Sequence, residues 1–184
     1  MKTKKWKRLI VLRTILIVVI FAMFFRSYLF ASYVVDGKSM EPTLYDGNLI
    51  MVNQILYDFS DVSRFDVIVF HANDEEDYVK RVIGEPGDHI KVVDDKLYIN
   101  DEYMEEAYLQ AFRDQITGIL TKDFTLEEIT GESRVPEGQL FVLGDNRRNS
   151  FDSRYFGFID QETVVGKVDI RYWPVSQVGF HFTD

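Results

Sequence analysis

Residues 66–99, DVIVFHANDEEDYVKRVIGEPGDHIKVVDDKLYI, contain the pattern that decides the fold. Short apolar runs rich in Val, Ile and Tyr are separated by Asn, Asp, Gly and Pro, which is typical of β-strands and turns. The runs at 89–93 and 96–99 are joined by Asp94 and Asp95, and a two-residue connection of this kind predicts a β-hairpin. The stretch therefore predicts an antiparallel sheet.

The same pattern extends over most of the chain on either side of this stretch. Further strands are predicted at residues 33–36, 49–52, 66–71, 78–83, 140–143 and 164–172. Residues 101–132 are more polar and acidic and have only weak helical periodicity, which predicts a variable insertion or flap on the sheet. We expect residues 31–184 to form a mainly β domain with an antiparallel, barrel-like sheet.

Composition excludes several classes of function. The chain has 184 residues and no cysteine, so it has no disulfide scaffold, thiolate zinc site or cysteine nucleophile. A net charge of -9 argues against a nucleic-acid-binding body, and we expect no nucleic-acid partner. His71, His89 and His181 lack zinc-site spacing, and the acidic residues beside His71 are explained more simply as a solvated turn than as a cation site. We predict no metal and no cofactor.

The amino-terminal segment differs in charge and hydropathy from the rest of the chain. Residues 1–35 contain seven of the 21 basic residues and no acid, so residues 36–184 hold 14 basic and 30 acidic residues, a net charge of -16. Residues 9–30, LIVLRTILIVVIFAMFFRSYLF, are almost wholly apolar and are long enough for a transmembrane helix. Arg13 and Arg26 lie near the two ends, where long side chains can reach the headgroups.

A cleaved export signal is the alternative interpretation of this segment. The apolar run is longer than the core of most signals, and Leu29 stands where a small residue is expected three positions before a cut after Ala31. We therefore predict an uncleaved single-pass anchor in contact with membrane lipid. The positive-inside bias places residues 1–8 in the cytoplasm and the acidic domain outside a bacterial cell membrane.

Three polar segments interrupt the predicted sheet, and each has an ordinary explanation beside a functional one. In residues 36–44, DGKSMEPTL, Ser39 is a candidate nucleophile, although a serine between Gly and Pro is usually a turn former. In residues 77–88, Lys80 and Arg81 point to opposite faces of a strand, so one can enter the interior while the other meets solvent. The ordinary alternative is that both protect a sheet edge. Residues 143–157 contain many acidic residues and arginines. These side chains can pair with one another and form a rigid, hydrogen-bonded platform, or the segment can be an ordinary solvated loop.

These three segments, in this order behind an anchor, resemble type I signal peptidases of the short Gram-positive form. The matching boxes are residues 37–44 around Ser39, residues 78–88 around Lys80, and residues 144–154, GDNRRNSFDSR. The similarity extends from the anchor to about residue 174 and leaves residues 101–132 unmatched. It implies a membrane-bound serine endopeptidase that removes signal peptides from exported preproteins.

The resemblance also implies roles for individual residues. Ser39 is expected to be the nucleophile and Lys80 the general base, which must be neutral; burial beside Tyr78 and Val82 favours that state by lowering the lysine pKa to about 8. Ser150 is expected to hydrogen-bond the lysine amine, Asp152 and Arg154 to pair and hold the loop, and Asp145 to join that network. Position 37 is glycine where some relatives have a serine, so the oxyanion must rely on the backbone N–H of Ser39.

The substrate is expected to bind as an added strand between residues 33–35 and the strand before Lys80. The side chains predicted to shape shallow pockets for small residues are Val35, Met40, Leu44, Tyr78 and Val79.

Two other functions remain open from the sequence. A self-cleaving repressor protease shares the Ser/Lys chemistry, but it carries a DNA-binding domain where this chain has an apolar segment. A catalytically inactive or non-enzymatic anchored β-domain that binds envelope partners would show nearly the same sequence.

Overall fold

The computed structural model describes residues 6, 10–21, 30–54, 62–180 and 182. Within them the strands are β1 Phe30–Val34, β2 Leu49–Asn53, β3 Val67–His71, β4 Asp77–Gly84, β5 Ile90–Val93, β6 Lys96–Ile99, β7 Glu102–Met104, β8 Phe124–Thr125, β9 Gln139–Leu143, β10 Ile159–Asp160, β11 Val164–Trp173 and β12 Gly179–Phe180. Short α-helices cover Gln110–Arg113, Leu126–Thr130 and Ser153–Phe156, and 3-10 turns cover Ala107–Leu109, Gln161–Thr163 and Val175–Gln177. Residues 10–21 are also helical.

The larger sheet is antiparallel and has the order β1-β2-β11-β3-β4-β9-β10, with β12 paired to β11. β1 and β4 are separated by three strands in this order, yet residues of both line one cleft, so the sheet curls strongly. The prediction of a mainly β, antiparallel fold with a barrel-like curl is confirmed.

The smaller sheet has the order β7-β6-β5-β8. The predicted hairpin is confirmed, since Ile90 to Val93 pair with Ile99 to Lys96 in an antiparallel register. Asp94 and Asp95 both have positive φ, at 51° and 62°, as a tight two-residue turn between twisted strands requires. Residues 101–132 contribute β7 and β8 to this sheet, so the segment predicted as an insertion or flap supplies both of its outer strands.

Three apolar clusters hold the sheets together. One lies between the smaller sheet and β9, and another packs Val35, Met40 and Leu44 against β2 and β3. The third packs β3, β4 and β9 against the segment around Ile159. Each fully buried Leu or Ile contributes roughly 1.5–3 kcal/mol to folding. Because Val35, Met40 and Leu44 belong to the core, the loop between β1 and β2 is fixed on both sides of Ser39.

β4 lies inside the larger sheet, between β3 and β9, so it is not a sheet edge. Lys80 and Arg81 are 5% and 0% exposed. The expectation that one of these two side chains meets solvent is therefore wrong. The reason is that both faces of β4 are covered, one by the loop of Ser39 and the other by Tyr108, whose ring lies 3.8 Å from the Arg81 guanidinium.

Among the residues that the structure describes, no helix combines the length and apolar character that a bilayer crossing requires. Of the predicted span 9–30, residues 10–21 are helical, whereas residue 9 and residues 22–29 lie outside the described residues.

Candidate active site

The loop between β1 and β2 presents Ser39. The backbone N–H of Val35 donates to the carbonyl of Asn48 at 2.8 Å, and that of Gly47 donates back to Val35 at 2.9 Å. The Asp46 carboxylate accepts from the N–H of Gly37 at 2.9 Å, where a φ of 85° favours glycine. These contacts close the loop at its base, so Ser39 stands on a fixed support.

Lys80 on β4 lies against this serine. Its Nζ donates to the Oγ of Ser39 at 3.1 Å and to the carbonyl of Val79 at 3.0 Å. The ring of Tyr78 lies 5.1 Å from the same Nζ. The structure therefore brings the two residues predicted as nucleophile and base into hydrogen-bond contact across 41 residues of sequence.

Burial lowers the pKa of Lys80 to about 8, while the negative charges of Asp152 and Asp145 act in the opposite direction. A lysine with this pKa is neutral in roughly one molecule in ten at pH 7, against fewer than one in a thousand for an ordinary lysine. The site can thus supply an unprotonated amine next to a serine hydroxyl near neutral pH.

The turn after β9 supports the serine loop from behind. The N–H of Asn146 donates to the backbone carbonyl of Ser39 at 2.9 Å, and the Asn146 side chain donates to that of Lys38 at 3.0 Å. A Cβ on Gly144 would lie 2.5 Å from the Ser39 carbonyl oxygen and 2.2 Å from the Oγ of Ser150. Only glycine allows the two loops to approach this closely.

Asp152 and Arg154 form the pair that the family resemblance implies. The guanidinium of Arg154 donates to both oxygens of Asp152 at 2.8 Å. Asp152 is fully buried and also accepts from the N–H of Gly144 at 3.0 Å. The pair therefore fixes the start of the turn that touches Ser39.

The hydrogen bonding of Ser150 and Asp145 differs from what the sequence predicted. The Oγ of Ser150 is buried without a hydrogen-bond partner among the described residues, so the expected bond to Lys80 is not formed. Asp145 accepts two bonds from Arg81, at 2.9 and 2.7 Å, and one from the hydroxyl of Thr43. Asp145 thus ties the turn after β9 to β4 and to the loop of Ser39.

Beside the dyad is a cleft of about 250 Å³ between β1 and β4. Four of the five predicted substrate-contacting residues line it, namely Val35, Met40, Tyr78 and Val79. Leu44 does not, because its side chain is fully buried in the core beneath the loop. Tyr33 and Val34, in the segment 33–35 predicted to flank the substrate, also line the cleft. The lining residues that were not predicted are Asp36, Val69, Asp77 and Phe151.

Two uncharged aromatic side chains, Tyr33 and Phe151, line the cleft. Burial raises the pKa of Tyr33, and the nearby carboxylate of Asp77 raises it further. Phe151 stands 58% exposed between Ser150 and Asp152, which leaves an apolar ring at the mouth of the cleft.

A second set of buried charges lies behind the site and had little signal in the sequence. Arg147 donates to Glu106 and to the carbonyl of Gly144, and the hydroxyl of Tyr108 accepts from it at 3.0 Å. Burial opposes the charge of Arg147, but Glu106 and Tyr108 outweigh it and keep the pKa above its ordinary value. Strand alternation predicted that Lys80 or Arg81 meets solvent, so the burial of both was not foreseen, and nothing in residues 101–132 pointed to Glu106 or Tyr108.

The backbone N–H of Ser39, predicted as the oxyanion donor, donates to no acceptor among the described residues. A serine hydroxyl, a buried amine of lowered pKa and a free backbone donor are the groups that a serine hydrolase with a lysine base requires.

The sequence profile of the family described as Signal peptidase, peptidase S26, matches residues 7–173. The chain belongs to this family.

Named relatives agree with this assignment over most of their length. Signal peptidase I of Bacillus caldolyticus is 56% identical over 158 residues, which cover 85% of this chain and 87% of that protein. Signal peptidase I V of Bacillus subtilis (strain 168) is 42% identical over 151 residues, with 82% and 90% covered. The crystal structure of a signal peptidase I from Enterococcus faecalis V583 is 44% identical and superposes with a TM-score of 0.56, covering 59% of this chain and 97% of that one.

Proposed function

We propose that this protein is a membrane-anchored serine endopeptidase that cleaves signal peptides from exported preproteins. The observation that carries the proposal is the 3.1 Å contact between the Lys80 amine and the Ser39 hydroxyl, in a chain of the signal peptidase family. The inactive β-domain and the self-cleaving repressor are not favoured, because the relatives named above are signal peptidases across most of this chain.

The reaction begins with a neutral Lys80. Its amine takes the proton from the Oγ of Ser39 as that oxygen attacks the carbonyl carbon of the scissile amide. The developing oxyanion accepts a hydrogen bond from the backbone N–H of Ser39. The ammonium then returns its proton to the leaving amine, and an acyl ester remains on Ser39. Lys80 next takes a proton from a water whose oxygen attacks the ester carbonyl, and it then gives that proton to the departing Oγ of Ser39, which restores the serine hydroxyl and the neutral amine and releases the peptide acid.

The curl of the sheet suits an extended peptide. Residues 33–35 of the β1 side and Val79 of β4 face each other across the cleft, so a substrate strand can lie between two backbones. Met40 is 1% exposed and Val35 is 5% exposed, which leaves shallow depressions rather than deep pockets. Small side chains next to the scissile bond fit such a surface.

Anchoring is the second part of the proposal. The apolar side chains of residues 10–21 are exposed to between 44% and 67% of their area, as expected of a helix that packs against lipid. Ser39 follows residue 30 by nine positions, so an extended tether keeps it within about 30 Å of the membrane face. A signal peptide also presents its cleavage region close to the membrane face. The basic residues 1–8 would then remain in the cytoplasm and the β domain outside.

A preprotein assay tests this function. The detergent-solubilised full chain is incubated with a secretory preprotein, and the cut is mapped by mass spectrometry. We expect one cleavage after a small residue. Ser39→Ala and Lys80→Ala should each reduce the rate by at least a thousandfold. Lys80→Arg should not restore activity, because a guanidinium stays protonated.

The matched controls are Ser133→Ala and Lys96→Ala, which change an exposed serine and an exposed lysine away from the cleft. Both should keep the wild-type rate. Measurable cleavage by Ser39→Ala, at the same site as the wild type, would contradict the proposed mechanism.

A further inference from the structure

We propose that Glu106 and Tyr108, in the segment 101–132 that no sequence pattern explained, are positioning residues for the Ser39/Lys80 site. This inference rests on the proposed function. Neither residue lines the cleft, so both act through two buried arginines that lie between them and the serine loop.

The first route runs through Arg147. Its guanidinium donates to the Glu106 carboxylate and to the Tyr108 hydroxyl oxygen, the latter at 3.0 Å. The same guanidinium donates to the carbonyl of Gly144 at 3.0 Å. Gly144 packs directly on the Ser39 backbone, and Asn146, the next residue but one, donates to the Ser39 carbonyl. Glu106 therefore holds, through one side chain, the turn on which the nucleophile rests.

The second route runs through Arg81. The ring of Tyr108 covers the Arg81 guanidinium at 3.8 Å, while Arg81 makes two bonds to Asp145. Asp145 in turn accepts from the Thr43 hydroxyl, four residues after Ser39. Arg81 also directly follows Lys80 on β4. Tyr108 thus contacts a side chain that connects the strand of the base with the loop of the nucleophile.

Burial makes both arginines dependent on these partners. Arg81 and Arg147 have side chains with no exposed area, and Glu106 is 4% exposed. A buried guanidinium that loses a partner must find another acceptor or draw in water, and either change moves the groups that it holds. The carbonyl of Gly144 and the carboxylate of Asp145 are the groups that would move.

The segment that carries Glu106 and Tyr108 is held to the smaller sheet by other contacts. Arg113 pairs with Asp95 at 2.7 Å, and the N–H groups of Leu120 and Thr121 donate to the same carboxylate. Leu109 and Leu120 are buried. Arg113 also pairs with Glu106 at 3.3 Å, so Glu106→Gln weakens one contact within the segment. The bonds to Asp95 and the burial of Leu109 and Leu120 need neither Glu106 nor Tyr108, so replacing either residue should alter its link to the catalytic turn more than the fold of the segment.

The test separates kcat from KM in the full-length protein. Glu106→Gln and Tyr108→Ala should lower kcat for preprotein cleavage by roughly ten- to a hundredfold with KM within twofold of wild type, because the cleft is unchanged while the dyad is misplaced. Tyr108→Phe keeps the ring over Arg81 and loses only the hydroxyl, so it should recover a large part of the activity lost in Tyr108→Ala.

The matched controls are Glu105→Gln and Tyr103→Phe, the exposed acid next to Glu106 and an exposed tyrosine of β7. Both should keep wild-type kcat. The Ser39-dependent hydrolysis of p-nitrophenyl acetate, taken as the rate minus that of Ser39→Ala, should fall in parallel with kcat, since this ester needs no preprotein binding.

An unchanged kcat in both Glu106→Gln and Tyr108→Ala, or an effect confined to KM, would overturn the inference. If Glu106→Gln has a lowered melting temperature, the comparison of Tyr108→Ala with the nearly volume-preserving Tyr108→Phe decides. A wild type that hydrolyses the ester through Ser39 but cuts no preprotein would refute the proposed function and still leave the variant comparison decisive.

Discussion

At the scale of single residues, the unusual feature is a lysine kept out of water beside a hydroxyl. Lowering its pKa from 10.5 to about 8 corresponds to about 3 kcal/mol in favour of the neutral amine. This pKa matches the value expected from the sequence, although the groups that bury the amine differ in part. The serine loop covers the amine as well as Tyr78, and a loop contact of that kind has no signature in a strand pattern.

The pH dependence of cleavage follows from this lysine. Because the neutral form is the base, kcat/KM should rise with pH and level off above a midpoint near 8, well above the value near 6.5 expected for a histidine base. Tyr78→Ala should admit water, favour the ammonium and move the midpoint upward. Initial rates between pH 5.5 and 10 measure the midpoint in both proteins.

The control for this profile is Ser150→Ala. Its Oγ has no partner among the described residues, so removing it should leave the midpoint in place and lower the plateau only through altered packing beside Gly144. A wild-type midpoint near 6.5 would exclude Lys80 as the base that controls the rate.

At the scale of elements, the site is built from loops that meet behind Ser39. The strands β1 to β6, β9 and β11 were predicted from alternation and turn residues, with limits shifted by a few positions. The short strands β7, β8, β10 and β12 were not, since two or three residues carry too little pattern. The pairing of Arg81 with Asp145 and of Arg147 with Glu106 also escaped prediction, because tertiary partners 41 to 64 residues apart leave no local signal.

Gly144 tests the contact between these loops. Gly144→Ala places a Cβ 2.5 Å from the Ser39 carbonyl oxygen, so we expect a loss of about 1–3 kcal/mol in the free energy of unfolding and a large fall in kcat. Urea unfolding and cleavage assays measure the two effects.

Gly166→Ala is the matched variant. Its Cβ would lie 2.3 Å from the carbonyl oxygen of Asn53, an equally severe clash on β11 and away from the cleft. It should lose similar stability while the folded protein keeps its kcat. If Gly144→Ala has the same kcat as Gly166→Ala, the close approach at Gly144 serves folding alone.

At the scale of the whole molecule, charge divides the chain into two parts. The basic residues at the start and the net charge of -16 over residues 36–184 predict an orientation with the β domain outside. Trypsin added to intact spheroplasts should digest the domain from about residue 33 onward and leave residues 1–8 protected, as read by an amino-terminal epitope tag.

Lysed spheroplasts are the control, in which the tag should also be lost. A soluble, mature protein beginning near residue 32 would show instead that the apolar segment is a cleaved signal. The experiment therefore decides between an uncleaved anchor and a cleaved export signal.

The strand order has a consequence for how the enzyme is made. β2, which ends the serine loop, pairs with β11, and Val52 lies opposite Val168 in that ladder. Translation produces the nucleophile early, but its supporting strand arrives only near the end of synthesis. A growing chain therefore lacks the strand that pairs with β2 until residues 164–173 have been synthesised. The support beneath the nucleophile is in this way completed only when translation is almost finished.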